Sequence, residues 1–249
     1  MTTKLYQGLV DAKAKNQKKF AVLLDPDKIR LKQFEKILEL SIDSGVDYFF
    51  IGGSLIVSDI LDSTLMKIRE KCEIPMILFP GSSFQLSYKA EALLFLSLIS
   101  GRNPELLIGK HVVVAPYLKI SPLEIIPTGY LLVDGGVATT VTYMSNTNPI
   151  PANKPDIAAS TALAGQFLGL KLMFLDAGSG AQNPVSIEMI HAVSETIEIP
   201  LITGGGIKTA ERAYENLKSG ADLIVVGDAI EKSPELISEI AGAAHSFNP

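Results

Sequence analysis

The sequence predicts a closed (β/α)8 barrel, the TIM-barrel class, and three observations carry that reading. Short apolar runs alternate with helical patterns about eight times along the 249 residues. The runs are almost continuously apolar, as in strands covered on both faces by crossover helices. Turns rich in Gly, Asp and Ser follow the runs, and the last two runs both end in glycines, where such barrels hold phosphate. No shift in composition marks a boundary, so residues 1–249 read as one barrel domain.

FAVLLD (20–25) is the first strand. A helix follows with Phe34, Ile37, Leu38 and Ile42 on one face and Gly45 as its stop. VDYFFIGG (46–53) is the second strand. Ser58 is a cap for the next helix, which carries Leu61, Leu65 and Ile68. IPMILFPG (74–81) is the third strand, and EALLFLSLIS (91–100) arrives after only about ten residues, too few for a full crossover helix. The third helix is therefore expected to be replaced by a loop or extended piece. HVVVAPYLKI (111–120) fits a strand or a helix. GYLLVDGG (129–136) is a strand, followed by a polar loop over 142–156 and a long helix over 157–170. KLMFLDAGSGA (171–181), IPLITGGG (199–206) and ADLIVVGDA (221–229) are three strand-plus-glycine units, separated by helices near 184–196 and 209–219. Thr209 caps the second of these, Ala210, Ala213, Tyr214 and Leu217 form its inner face, and Gly220 ends it.

The chain is 47% hydrophobic, with a net charge of −5, so no basic field invites nucleic acid. Cys72, the single cysteine, excludes an internal disulfide and a cysteine zinc cage, fits a reducing cytoplasm and reads as a buried structural thiol. The polar, lysine-rich N-terminus is not a signal peptide, and no apolar run reaches the roughly 18 residues of a membrane span. The mean hydropathy of +0.28 leaves room for a buried subunit face, so a homo-oligomer is expected.

The glycine turns carry the chemistry. Gly204-Gly205-Gly206 and Gly227-Asp228 end successive strands and open helices. There, backbone N–H groups and a helix N-terminus suit a phosphate. Either turn alone is also an ordinary βα turn; two in succession favour phosphate. Asp228 would repel the anion unless its side chain turns away or caps the helix. FLDAGSGA (174–181) sets Asp176 at a strand end, suited to gripping or deprotonating a hydroxyl, with Gly178, Ser179 and Gly180 as flexible donors. LLDPDK (23–28) ends the first strand with acids that serve as a helix start or as a Mg²⁺ site, since Mg²⁺ takes one or two carboxylates plus substrate phosphate oxygens. Ser54 ends the second strand. Strands one and two are read as lying across the mouth from six to eight, giving two anion sites, one metal-assisted and one metal-free. His111, His191 and His245 are scattered along the chain, which argues against a histidine metal cluster.

In this order, LLDPDK, GGS, LFPGS, GYLLVDGG, YMSNTNPIP, LDAGSGA, TGGGI and VVGDA resemble the geranylgeranylglyceryl phosphate synthase family, which includes the heptaprenylglyceryl phosphate synthases. The resemblance runs from about Phe20 to Ile230. It implies a modified barrel without its third helix and a prenyltransferase that uses Mg²⁺. The enzyme would join the 3-hydroxyl of sn-glycerol 1-phosphate to a prenyl diphosphate and release diphosphate. Carried over by position, it implies Asp25 and Ser54 for Mg²⁺. For glycerol phosphate it implies Phe174, Leu175, Asp176, Ala177, Gly178, Ser179, Gly180, Gly205, Gly206, Gly227 and Asp228. Many members carry Tyr for Phe174, Glu for Asp176 and Asn for Asp228. Asp176 is the expected proton acceptor, and 91–100 with 112–120 the expected lining of the tail groove. Geranylgeranyl is the first choice of tail and heptaprenyl the alternative. The family contains dimers and hexamers, and its lipid product implies transient membrane contact. A phosphosugar isomerase or lyase, needing neither Mg²⁺ nor a long groove, and a non-catalytic phosphate-binding barrel are the rival readings. Substitution of Gly205 is expected to obstruct the approaching ligand.

Overall fold

The structure is a computed structural model and describes residues 5–27, 31–53 and 60–248. Eight parallel strands close in sequence order, β1 pairing with both β2 and β8. They are β1 (Lys19–Leu24), β2 (Tyr48–Ile51), β3 (Met76–Leu78), β4 (Ala92–Leu98), β5 (Glu124–Leu132), β6 (Leu172–Asp176), β7 (Leu201–Gly204) and β8 (Leu223–Val226). Side chains alternate across each strand. Phe50, Ile77, Leu94, Phe174, Ile202 and Val225 fill the barrel. Phe49, Met76, Leu93, Leu175, Leu201 and Ile224 face the surrounding helices. Both layers are apolar, which is why the strand runs lack an alternating pattern. Each fully buried Leu, Ile or Phe adds roughly 1.5–3 kcal/mol.

The first helix, α1 (Leu5–Ala14), was not anticipated. Its Leu5 and Leu9 enter the inner core at the N-terminal end of the barrel. Glu124 accepts from the amides of Leu5 (2.5 Å) and Tyr6 (3.2 Å), an anion at a helix N-terminus. The one-turn spacing of Leu5 and Leu9 is the signal that could have found it. At the same end Asp222 takes Lys13 at 3.0 Å, Lys18 at 3.6 Å and the Leu201 amide at 2.9 Å. Asp47 takes Lys19, the Phe20 amide and His245.

The remaining helices follow in order. On α2 (Leu31–Asp43), Ile37 and Leu38 are buried, but Ile42 is exposed, beyond the stripe expected for it. Gly45 ends that helix with φ +67°. On α3 (Leu61–Arg69), Leu61, Leu65 and Ile68 are buried as expected; Ile60 holds the cap position without a side-chain bond, and Ser58 lies outside the described residues. Between β3 and β4 the chain contains no helix, as the short gap predicted. The stretch expected as strand or helix is helix α4 (Lys110–Lys119), with Ile120 as its C-cap, preceded by a turn of π-helix over Glu105–Gly109. The polar loop holds a short helix, α5 (Thr140–Ser145), and then α6 (Pro155–Phe167) follows. Two helices, α7 (Ile187–Thr196) and α8 (Ala210–Lys218), separate the last three strands. Thr209 caps α8 through the Arg212 amide at 3.2 Å. Ala213 and Leu217 are buried, whereas Tyr214 sits at the rim, stacked on Phe247 at 4.9 Å. A short α9 (Asp228–Lys232) and α10 (Leu236–His245) close the chain. Cys72 is half-buried against the outer core.

Candidate active site

A cavity of about 480 Å³ opens at the C-terminal ends of the strands. At one end it is lined by Ser179, Gly180, Gly205, Gly206, Gly227 and Asp228. Gly205 and Gly206 have φ of +75° and +71°, a left-handed conformation that glycine adopts without penalty. No hydrogen bond joins the amides of Gly205, Gly206 or Asp228 to another described residue. Among the described residues the Asp228 amide, in the first turn of α9, thus has no partner, and such donors point at an incoming anion. The Asp228 carboxylate turns to Lys232, at 2.7 Å, so it is neutralised rather than aimed at the same anion.

Asp176 closes β6 and lines the cavity, buried to 8% exposure. Its Oδ1 accepts from the Gly178 amide at 2.8 Å, and its Oδ2 accepts the phenolic hydrogen of Tyr130, on β5. Burial pushes the Asp176 pKa up, and the bonds from Tyr130 and Gly178 pull it partly back. Tyr130 is raised well above the usual phenol range by burial and by the neighbouring carboxylate, so it stays a donor. The sequence reading missed Tyr130; the parallel register that aligns it with Phe174 could have suggested it.

Phe174 is part of the floor. It stacks on Phe79 with ring centroids 5.2 Å apart and meets Tyr130 edge-on at 5.6 Å. Leu175 and Ala177 lie in the outer core, away from the cavity. Gly178 sits behind the turn, where a Cβ would be 2.7 Å from Thr139 Oγ1. The expected glycerol-phosphate stretch thus divides into a part that faces the cavity and a part that supports it.

Asp25 lies in the same cavity, 5% exposed, with Oδ1 accepting from the Asp27 amide at 3.2 Å. It is not across the mouth from Gly227, as the sequence reading had it. The closed barrel pairs β1 with β8, and the Leu23 side chain packs against Gly227. Ser54 lies outside the described residues.

The other end of the cavity is apolar, with Leu86, Leu93, Phe95, Val114 and Leu118 on its walls. Leu93 and Phe95 point outward from β4, where a crossover helix would ordinarily cover them. With that helix missing, α4 shields them from one side only and a groove remains. His111 lines it with Nε2 3.1 Å from Ser97 Oγ and its ring edge-on to Phe95 at 4.5 Å; burial lowers its pKa.

The model of the PcrB family matches residues 13–244. The chain belongs to the PcrB family. Among its relatives, geranylgeranylglyceryl phosphate synthase of Chitinophaga pinensis is 53% identical over 249 residues, covering 100% of this chain and 99% of that one. The enzyme of the same name from Spirosoma linguale is 52% identical over 240 residues, 96% of each chain. A crystal structure of (S)-3-O-geranylgeranylglyceryl phosphate synthase from Thermoplasma acidophilum, in complex with substrate sn-glycerol-1-phosphate, matches with TM-score 0.91 and 32% identity over 99% of both chains. The barrel of this PcrB-family chain therefore has the fold of a solved relative along nearly its full length.

Proposed function

We propose that this PcrB-family chain is a prenyltransferase that joins a prenyl group to the 3-hydroxyl of sn-glycerol 1-phosphate. The observation that carries the reading is one cavity with two unlike ends: free amides at one and a groove bared by the missing helix at the other. A phosphosugar isomerase or a simple phosphate binder has no use for the groove. The names of the relatives support the same reading and favour geranylgeranyl over the longer heptaprenyl tail.

The amides of Gly205, Gly206 and Asp228 hold the phosphate monoester. Asp176 faces the glycerol hydroxyls. The tail lies along Leu93, Phe95, Val114 and Leu118, which brings the diphosphate to the mouth near Asp25. The carbon–oxygen bond to the diphosphate breaks with its electron pair leaving on the diphosphate. The glycerol oxygen bonds to the prenyl carbon, and its proton passes to Asp176. The raised pKa of Asp176 suits a proton acceptor, because a stronger base gains more from the transfer. Positioning of the two substrates in one cavity supplies a further part of the rate.

Mg²⁺ belongs to the same reading. Among the described residues no three His, Cys, Asp or Glu side chains form a cage. The donor set still fits, because Mg²⁺ is held by one or two carboxylates with substrate oxygens and water. Asp25 offers a carboxylate at the cavity wall, and Ser54 is the second position expected for the ion. When bound there, Mg²⁺ supplies charge that stabilises the departing diphosphate. Asp25 in turn fixes where that charge sits.

A homo-oligomer, dimer or hexamer, completes the reading. Ile157, Phe167 and Leu168 of the α6 region are exposed apolar residues suited to a subunit contact. A monomer by light scattering would remove that part. The decisive assay for the reaction incubates the protein with labelled sn-glycerol 1-phosphate, Mg²⁺ and a ladder of prenyl diphosphates. Ether-linked product is expected, and its absence with every tail sinks the assignment.

A further inference from the structure

Helix α4 is apolar on both sides. Its inner side supplies Val114 and Leu118 to the groove. Its outer side presents Val112, Val113, Tyr117 and Ile120, which are 64%, 62%, 58% and 77% exposed. An ordinary surface helix has a polar outer face, and one that is apolar all round is normally covered. The loop beside it adds Phe84, which is 94% exposed, and Tyr88, whose phenol donates to the Tyr117 carbonyl at 3.0 Å and ties the loop to the helix. The joined surface is larger than the scattered apolar side chains of an ordinary exterior.

Charge points to what covers it. Neither 106–123 nor 74–90 contains an Asp or Glu, although the chain as a whole has 27 of them against 22 Lys and Arg. Lys89, Lys110 and Lys119 are the charged residues of these two stretches, and all three are exposed. The apolar face is thus fringed by cations in a protein of net negative charge. A helix with an apolar face and flanking lysines suits the headgroup region of an anionic bilayer.

We propose that the outer face of α4, with the 79–90 loop, docks on an anionic phospholipid surface. The inference rests on the prenyltransferase reading in one respect: the groove that would hold the tail lies directly beneath this helix. A product leaving between α4 and the loop would emerge at the bilayer and avoid exposing its tail to water.

The test is flotation with vesicles of phosphatidylcholine alone and of phosphatidylcholine mixed with phosphatidylglycerol, without substrates. The protein should float with the mixed vesicles, several-fold less with the neutral ones, and less as salt rises. The double variant Val113→Glu/Ile120→Glu, at two exposed positions outside the cavity, should lose flotation. It should retain its melting temperature and its turnover of detergent-dispersed substrate. Wild-type protein that stays unbound to mixed vesicles overturns the proposal, as does a double variant that floats equally well. A double variant that falls to fewer subunits without vesicles also overturns it, because a second copy then covers the face. Flotation needs no turnover, so a protein that floats but makes no ether lipid sinks the reaction and leaves the surface assignment standing.

Discussion

Tyr130 donates its phenolic hydrogen to Oδ2 of Asp176, joining adjacent strands at the floor of the cavity. This bond favours the ionised carboxylate, while burial opposes it, and burial is the larger effect. Tyr130→Phe removes the bond and leaves the burial. The Asp176 pKa should then rise further. A base must be ionised to accept a proton, so activity is lost below its pKa. The acid limb of the kcat/KM profile should therefore move to higher pH in Tyr130→Phe, with turnover recovering toward the plateau. An unmoved limb, or one displaced downward, would separate Tyr130 from Asp176. Asp176→Asn should lower kcat by about 10²–10⁴-fold, the usual worth of a positioned base.

Asp25→Asn should preserve the fold, because the residue follows β1 at the mouth. It should lose most activity at ordinary Mg²⁺ and recover part of it as Mg²⁺ is raised. Rates titrated against Mg²⁺ in both proteins decide this, and full turnover of the variant at ordinary Mg²⁺ removes the metal assignment.

The structure changes what a substitution at Gly205 is expected to do. A Cβ there would not point at the ligand. It would lie 2.5 Å from Asp176 Oδ1 and 2.7 Å and 2.8 Å from the Gly178 and Ala177 amides, at a φ of +75°. Gly205→Ala should therefore damage the base and the phosphate cradle together. We expect kcat to fall and the KM for glycerol 1-phosphate to rise, with a strain of about 1–2 kcal/mol. A rise in KM with kcat intact would show that the β6 turn yields freely.

Val114→Trp should fill the groove between α4 and β4. The KM for a prenyl diphosphate should climb by an order of magnitude or more while that for glycerol 1-phosphate stays near wild type. Steady-state kinetics with each substrate varied in turn checks the split. Equal damage to both would place the tail elsewhere.

Stability should be controlled from the opposite end of the barrel. Asp222 is 4% exposed and holds Lys13, Lys18 and the Leu201 amide. Asp222→Ala leaves Lys18 buried with its charge uncompensated, which costs about 3–5 kcal/mol. Denaturant unfolding should show that loss, with kcat per folded molecule unchanged. A loss below about 1 kcal/mol would mean water reaches Lys18.

The sequence by itself determined the barrel, the missing third helix and the identity of the glycine turns. Each of these is local. A strand between two apolar layers must be apolar throughout, a crossover helix cannot fit in ten residues, and a left-handed turn such as that at Gly205-Gly206 selects glycine where it stands. Asp25, Asp176 and Gly227 were legible as positions at the barrel mouth for the same reason, because each directly follows an apolar run, and Gly205 through the glycine turn it belongs to. Only the tertiary structure decided what depends on closure and on neighbours distant in sequence. Closing β8 on β1 put Asp25 beside Gly227. Setting β5 against β6 gave Asp176 its phenol, which no spacing along the chain records. The same register made Phe174 a floor and put Leu175 behind it. Helix α4 was ambiguous in sequence because its residues are apolar on every side, so no periodicity marked it. Its type was settled by packing across a gap that the absent helix had left open.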